Sequence, residues 1–502
     1  MLMMHRNRIP ERRRRGFPES GGPHLRPPPL STTFTFITVT YEHTGSPNPE
    51  EPRPAPMATA APPQARTLSG YPCTGRVAVL YCAPISSVLH LSKGKDMKRL
   101  IPARTAAFVL AISLIILCLP QIGHAAAAGT VGAGVPPFHV RPGYRVTLAA
   151  KGLRNARFLC FGPHGTLFVS EPAIGKIVAL RDPDIHGLFQ KRDTFISGYR
   201  TVQGMVYRKG WLWFTVSGGI YRAKDDGKPG KATKIVKVLG GLPHGGGHWW
   251  RSLCIRHGHF YTSIGDPANF SDQIKTDRCK IWEYNLNGTG RKLFCSGLRN
   301  TEKLLFRPGT DQLWGCDEGS DQIGIPLGET WQLHAITNNN PPDEFNHYVR
   351  GAFYGQPFIT GNDMPRYEYV KQYFKTGHPN LPKWAAMCTI PAWDFGAHWS
   401  TVSFCFLRGN YFPGQAGNAI ICCHGSWDSI PLVGYRLQMV LFDKWTGKPY
   451  GSKLIVSTMH SDHKSFMARP VDCAQAPDGT LVFSSDSNGC VYRLKWVGKT
   501  AK

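Results

Sequence analysis

The sequence predicts an all-β fold, a six-bladed β-propeller that takes up residues 129–498 as one domain. Three observations carry that expectation. From about residue 150 a theme recurs six times: a short apolar strand, a turn with Gly or Asp, a second apolar strand, a Ser or Asp, and a third strand. The first four copies start about 45 to 50 residues apart, the span of one propeller blade, with longer intervals before the fifth and the sixth. Aromatic residues make up 11% of the 502-residue chain, glycines number 54, and no stretch carries the periodicity of a long α-helix.

The copies follow in order. The first, "ARFLCFGPHGTLFVSEPAIGKIVALRD" from Ala156, alternates three apolar runs with "GPHG" and "EPAIG" turns. The second is "VQGMVYRKGWLWFTVSGGIYRAK" from Val202, and the third is "WRSLCIRHGHFYTSIGDPAN" from Trp250. The fourth, "RNTEKLLFRPGTDQLWGCDEGSD", begins at Arg299. The fifth runs from Thr401 to Asp443, and the sixth, "RPVDCAQAPDGTLVFSSDSNGCVYRLKW", begins at Arg469. In such a fold the innermost strands surround a channel and the loops leading into each blade gather on one face. Function is therefore expected at equivalent loop positions of several copies.

Upstream of the repeats, residues 1–96 are rich in Pro and Arg and lack apolar periodicity, so they are expected to be disordered or to lie before the true start. Met97 opens a basic segment (Lys98, Arg99, Arg104), an apolar run from Ala106 to Leu119 and small residues from Gly123 to Ala128. That layout is a secretory signal peptide over 97–128, and translation from Met97 is the simplest account. A single membrane anchor is the competing account, which would make the protein membrane-associated; the uninterrupted apolar run is short for a span, which favours cleavage and a periplasmic or secreted product.

The net charge of +26 invites nucleic acid as a partner. Part of it lies in the leader, the rest is dispersed, and an exported protein rarely meets nucleic acid, so that class is excluded. The eleven cysteines beyond the leader contain no CxxC, which argues against thiolate metal clusters and leaves buried apolar thiols or disulfides.

Just before the first strands stand Gln203, His248 with Trp249 and Arg251, Arg299 with Asn300, and Arg469. Guanidiniums have no reason to recur at such positions on an ordinary surface. His244 and His248 have the spacing of a helical metal pair, but Gly245, Gly246 and Gly247 make a helix improbable there. "HGGG" has the form of an oxyanion loop, yet no G-x-S-x-G elbow accompanies it.

With these residues in place the chain resembles the soluble quinoprotein sugar dehydrogenases, closest to their sorbosone and pyranose dehydrogenase branch. The matching segments are "LPHGGGHWWRSLCI", "GLRNTEKLLFRPGTDQLWGCDEGSD", "PPDEFNHYVRGAFYGQPF", "FPGQAGNAIICCHGSWD" and "ARPVDCAQAPDGTLVFSSDSNGCVYRL". The resemblance implies a cofactor, pyrroloquinoline quinone with Ca²⁺, and a small-molecule sugar or sugar aldehyde as substrate. It makes His248 the general base and assigns cofactor contacts to Gln203, Arg251, Arg299, Asn300, His424 and Arg469. It sets Ca²⁺ near Gly319 and Ser320, with Asp343 beside them. Gly247 stands where the glucose enzymes carry an acid, so what orients His248 is left open. No C-x-x-C-H haem site occurs, so electrons are expected to leave to a separate acceptor, a quinone or a cytochrome. Two other classes stay in view: a Ca²⁺-dependent lactone hydrolase on a propeller, which would need a cluster of channel carboxylates, and a non-catalytic secreted scaffold.

Overall fold

The computed structural model describes residues 129–227, 230–321, 337–366 and 380–498. The expected extension (1–96) and signal peptide (97–128) lie outside the described residues. Six sheets of four antiparallel main strands form the blades. Blade I comprises Leu159–Phe161, Leu167–Glu171, Lys176–Pro183 and Phe189–Ile196. The inner strands of blades II to VI are Met205–Arg208, Cys254–Arg256, Leu304–Phe306, Thr401–Phe406 and Pro470–Gln475. Successive blades touch through their first two strands around a closed ring.

Each blade carries a fourth strand that the repeated theme did not show. Phe189–Ile196 explains why: its middle residues Gln190, Lys191 and Arg192 are exposed, so the outer edge lacks an apolar signature. Blade VI obtains its outer strand from the other end of the domain. Tyr144–Ala150 pairs antiparallel with Cys490–Trp496, Thr147 opposite Arg493. The long interval before the fifth copy is an insertion in blade IV between Pro342–Tyr348 and Trp393–Ala397. It holds a hairpin, Ile359–Thr360 with Met364–Pro365, and the short helix Leu381–Met387. The insertion packs its own small core, where Phe358 stacks on Trp384 at 4.5 Å. Among the described residues no helix is long and apolar enough to cross a membrane.

The main core is distributed rather than central. Six apolar clusters bridge successive blades, one per junction. Between blades IV and V, Phe345 meets Phe404 edge-on at 5.0 Å and Trp314 meets Phe442 at 5.2 Å. All eleven described cysteines are free thiols, and burial pushes groups such as Cys254 up to about 12, so they serve as packing.

Hydroxyls near the ends of second strands join one blade to the next. Thr215 Oγ1 accepts from the Gly204 amide in its own blade at 2.9 Å and donates to the Arg251 carbonyl at 2.9 Å. Ser263 donates to the Thr301 carbonyl, and Ser484 to the Arg157 carbonyl, in the same way. One Ser or Thr thus fixes the lead-in of the following blade, which is why the theme ends its second strand on these residues.

Asp472 adds a link that spans blades. Its carboxylate accepts from the Leu159 amide of blade I at 2.8 Å and pairs with Lys303 from blade IV. Burial alone would lower the Lys303 pKa, but the Asp472 charge outweighs it and the group is held protonated. Replacing Lys303 by Met strands a buried carboxylate, and the expected loss of unfolding free energy is about 3–5 kcal/mol. Urea titration checks this, and the double variant Lys303→Met with Asp472→Asn should recover part of the loss.

Candidate active site

The residues two positions ahead of the first four inner strands are Arg157, Gln203, Ser252 and Glu302. The propeller turns that sequence spacing into a ring around the channel. Arg157 is 5% exposed and lies over the Trp250 ring at 4.5 Å. Its guanidinium reaches Glu302 at 2.9 Å, Asp486 at 3.1 Å and the Gln203 side-chain oxygen at 3.3 Å. Gln203 donates to Glu302 at 2.6 Å. Asp486 also accepts from Arg469 at 2.8 Å and meets His424 at 3.1 Å. Burial pushes Glu302 upward against the pull of Arg157. Burial also works against ionised Asp486, but His424, Arg157 and Arg469 together hold it well below the usual carboxylate range.

Asn300 carries this network upward. Its amide donates to Glu318 at 2.5 Å, and Glu318 accepts from Ser400 at 2.6 Å. Glu318 and Ser400 also line a cavity of about 140 Å³ at the channel mouth, whose wall includes His248, Arg299 and Trp427. Trp427 is 72% exposed, and Trp249, next to His248, is 39% exposed, so the site has an apolar rim.

His248 is placed by its own loop. Gly246 has φ +81°, and a side chain there would meet the Pro267 carbonyl at 2.5 Å. Gly247 donates its amide to that same carbonyl at 2.6 Å. A side chain at Gly265 would meet the His248 Cβ at 2.9 Å, so glycine is needed on both sides of the ring. His248 Nδ1 lies 2.8 Å from the Asp266 carbonyl, which can only accept. The proton therefore sits on Nδ1, and Nε2 keeps its lone pair. The Asp266 carboxylate fixes that carbonyl by accepting from the Ala268 and Ser271 amides at 2.9 Å each and from Gln356 at 3.0 Å. Burial, then the Arg299 charge, push His248 down to about 3, so the ring is a neutral base at working pH.

Arg299 is 5% exposed and bonded to Asn269 through Nε at 2.7 Å and Nη2 at 2.8 Å, with Asp321 at 3.5 Å. Beyond it, His398 lies against Asp321 at 3.5 Å and Asp428 at 3.3 Å. Burial acts to lower the His398 pKa, but Asp321 and Asp428 outweigh it and the group is raised.

The sequence profile described as TrAA12-like matches residues 138–497, which take in all six blades. The chain belongs to the TrAA12-like family. Solved structures similar to this TrAA12-like chain include the holo form of the pyranose dehydrogenase PQQ domain from Coprinopsis cinerea. That match has 19% identity and TM-score 0.61, covering 73% of this chain and 100% of that one. The calcium structure of the Trichoderma reesei family AA12 carbohydrate-active enzyme matches at 20% identity and TM-score 0.61, covering 73% and 98%. An uncharacterized protein of Borreliella burgdorferi is 28% identical over 235 residues, 46% of this chain and 56% of that protein's length.

In this TrAA12-like propeller the residues singled out from sequence fall into two groups. His248, Arg299, Gly319 and Asp343 line the cavity, while Gln203, Asn300, His424 and Arg469 belong to the network continuous with it. Arg251 and Ser320 belong to neither group, and Asp343 spends its carboxylate on backbone amides. Arg251 is fully buried and spends its guanidinium on the carbonyls of Pro243, His248 at 3.2 Å and Trp250 at 2.6 Å. It clamps the His248 loop and does not line the cavity. Asp343 gives one oxygen to the Gly319 amide at 2.8 Å and the other to the Thr401 amide at 2.9 Å, so it anchors the loop. Ser320 is fully buried and accepts from Arg366 at 2.7 Å.

Sequence reasoning missed Arg157, Glu302, Asp266, Asp321, His398 and Asp428. For Arg157 and Glu302 the signal was available, because each holds the lead-in position already noted for Gln203. For the others it was not, since they converge only in space.

The unfolded chain protonates His248 near about pH 6.5, while the folded chain resists down to about 3. Between those values the unfolded state binds more protons, so stability from this residue is complete above about pH 6.5 and falls as pH drops towards 3. In urea titrations across that window, His248→Gln should flatten the pH slope of the unfolding free energy. An unchanged slope would show that the ring is not held neutral.

Proposed function

We propose that this protein is a quinoprotein dehydrogenase that oxidises a sugar or sugar aldehyde of the sorbosone or pyranose type. The observation that carries the proposal is a neutral imidazole whose Nδ1 is locked on the Asp266 carbonyl, beside a buried guanidinium, in a cavity with an aromatic rim. Nε2 of His248 accepts the proton of the substrate hydroxyl as the carbon–hydrogen bond breaks. Trp427 offers a flat apolar face to the C–H side of a sugar ring.

The residues present fit pyrroloquinoline quinone with Ca²⁺. Arg299 and Arg469 are cations suited to a tricarboxylate. Gly319 lies in a cradle of oxygens, where a side chain would meet the Pro342 carbonyl at 2.7 Å, the Pro341 carbonyl at 3.1 Å and the Asp343 carboxylate at 3.3 Å. Main-chain oxygens at Gly319 and Ser320 would hold Ca²⁺, a hard ion that favours such donors. When bound, the quinone supplies the two-electron acceptor for hydride. The names of the similar structures, a pyranose dehydrogenase PQQ domain and a calcium-containing AA12 enzyme, support the same assignment. Electrons then pass to a separate acceptor, a quinone or a cytochrome, and export to the periplasm or beyond is proposed from the leader.

The test is to reconstitute apoprotein with pyrroloquinoline quinone and Ca²⁺ and to screen aldoses and sugar aldehydes by dye reduction. Calcium-dependent turnover is expected, and no quinone uptake by absorbance would falsify the assignment. His248→Ala should keep quinone binding and lower turnover by about 10²–10⁴-fold. Trp427→Ala should raise KM by roughly 2- to 10-fold with little change in kcat, measured on the best substrate.

A further inference from the structure

We propose that Asp321, His398 and Asp428 form a side-chain binding site for a first-row divalent cation of the zinc class, set in the wall of the cavity. These three come from separate places: the loop after Leu313–Asp317, the turn between blades IV and V, and the loop after Ala419–Cys423. All three line the same cavity as His248. They are not the residues to which Ca²⁺ was assigned from the resemblance.

The geometry argues for a cation between them. His398 Nε2 lies 2.5 Å from the Thr337 carbonyl, an acceptor only, so Nε2 carries a proton. In the neutral ring Nδ1 is then a lone pair, and it points at Asp321 Oδ1, 3.5 Å away, and Asp428 Oδ1, 3.3 Å away. The three ligand atoms all lie within 4.8 Å of one another. The side chains of His398 and Asp428 are only 2% and 1% exposed, so water does little to separate the like charges. Arg299 offsets part of that charge at 3.5 Å from Asp321, and a proton or a metal ion among the three ligand atoms would offset more.

Distance favours the metal. A charge-assisted N–H⁺ to carboxylate bond closes to about 2.7–2.9 Å. Ligands held tetrahedrally at about 2.0–2.1 Å from zinc stand about 3.4 Å from each other. Both nitrogen-to-oxygen separations match the second figure. An imidazole nitrogen selects zinc-class ions over Ca²⁺, which takes oxygen ligands. The anchored Nε2–H is the outer contact that metal-bound imidazoles normally make. Asp321 is the most open of the three at 23% exposure, so the fourth position falls to the cavity, where an ion would lower the proton affinity of a bound hydroxyl.

The test uses chelator-treated full-length protein with no quinone present. Calorimetry with ZnCl₂ should give one tight equivalent, with CaCl₂ binding there at least about 100-fold more weakly. His398→Gln and Asp428→Asn should each weaken zinc binding by about 10-fold or more. CoCl₂ should give the intense visible bands of a four- or five-coordinate site in the unaltered protein, a readout that needs no variant to fold. No zinc uptake, or uptake untouched by both substitutions, overturns the site. Sugar oxidation is scored separately with quinone, so loss of the dehydrogenase assignment with an intact cobalt spectrum would leave the site standing.

Discussion

The arrangement depends on Arg157. Its guanidinium sits where blades I, II, IV and VI approach the channel, and it engages Gln203, Glu302 and Asp486 at once. A cation buried this deeply is tolerated only because each face meets an acceptor, and the acceptors are tolerated only because it is there. The propeller thereby acquires a charged hub in place of an apolar one. The apolar area is consigned to the six junctions between blades, where wedges of aromatic and aliphatic side chains resist sliding.

The mouth above that hub is built on a contrast. Asp486 is kept ionised by three partners, whereas His248 is kept neutral by burial and the nearby Arg299 charge. A proton acceptor and fixed cations can share one small cavity because desolvation acts on the imidazole more strongly than any carboxylate near it. The question left by Gly247 has a backbone answer: the ring is oriented by the Asp266 carbonyl, and the Asp266 side chain holds that carbonyl in place.

Much of this was legible in the chain. The six copies appeared because inner and middle strands are buried and apolar, and the lead-in residues appeared because the repeat aligns them. Outer strands such as Phe189–Ile196 were invisible because their faces meet water. Arg251 showed the limit of positional reasoning: it occupies a lead-in loop, yet its guanidinium turns into the protein to gather carbonyls. His398 and Asp428 could not be joined from spacing, since blade geometry alone brings them within 3.3 Å.

The sixth blade carries one further consequence. Its outer strand, Tyr144–Ala150, is made before blade I, and its partner, Cys490–Trp496, is made after the other strands of blade VI. A fragment of the propeller that lacks either strand cannot complete blade VI, so the early strand must wait for its partner until the last blade has been made. Parts that fold earlier form an open arc with two raw flanks, and it is the pairing of Cys490–Trp496 with Tyr144–Ala150 that converts this arc into a circle. The two ends of the propeller domain thus act as a clasp, and a cut at any exposed loop, with these domain ends joined, would give the same circle a different beginning.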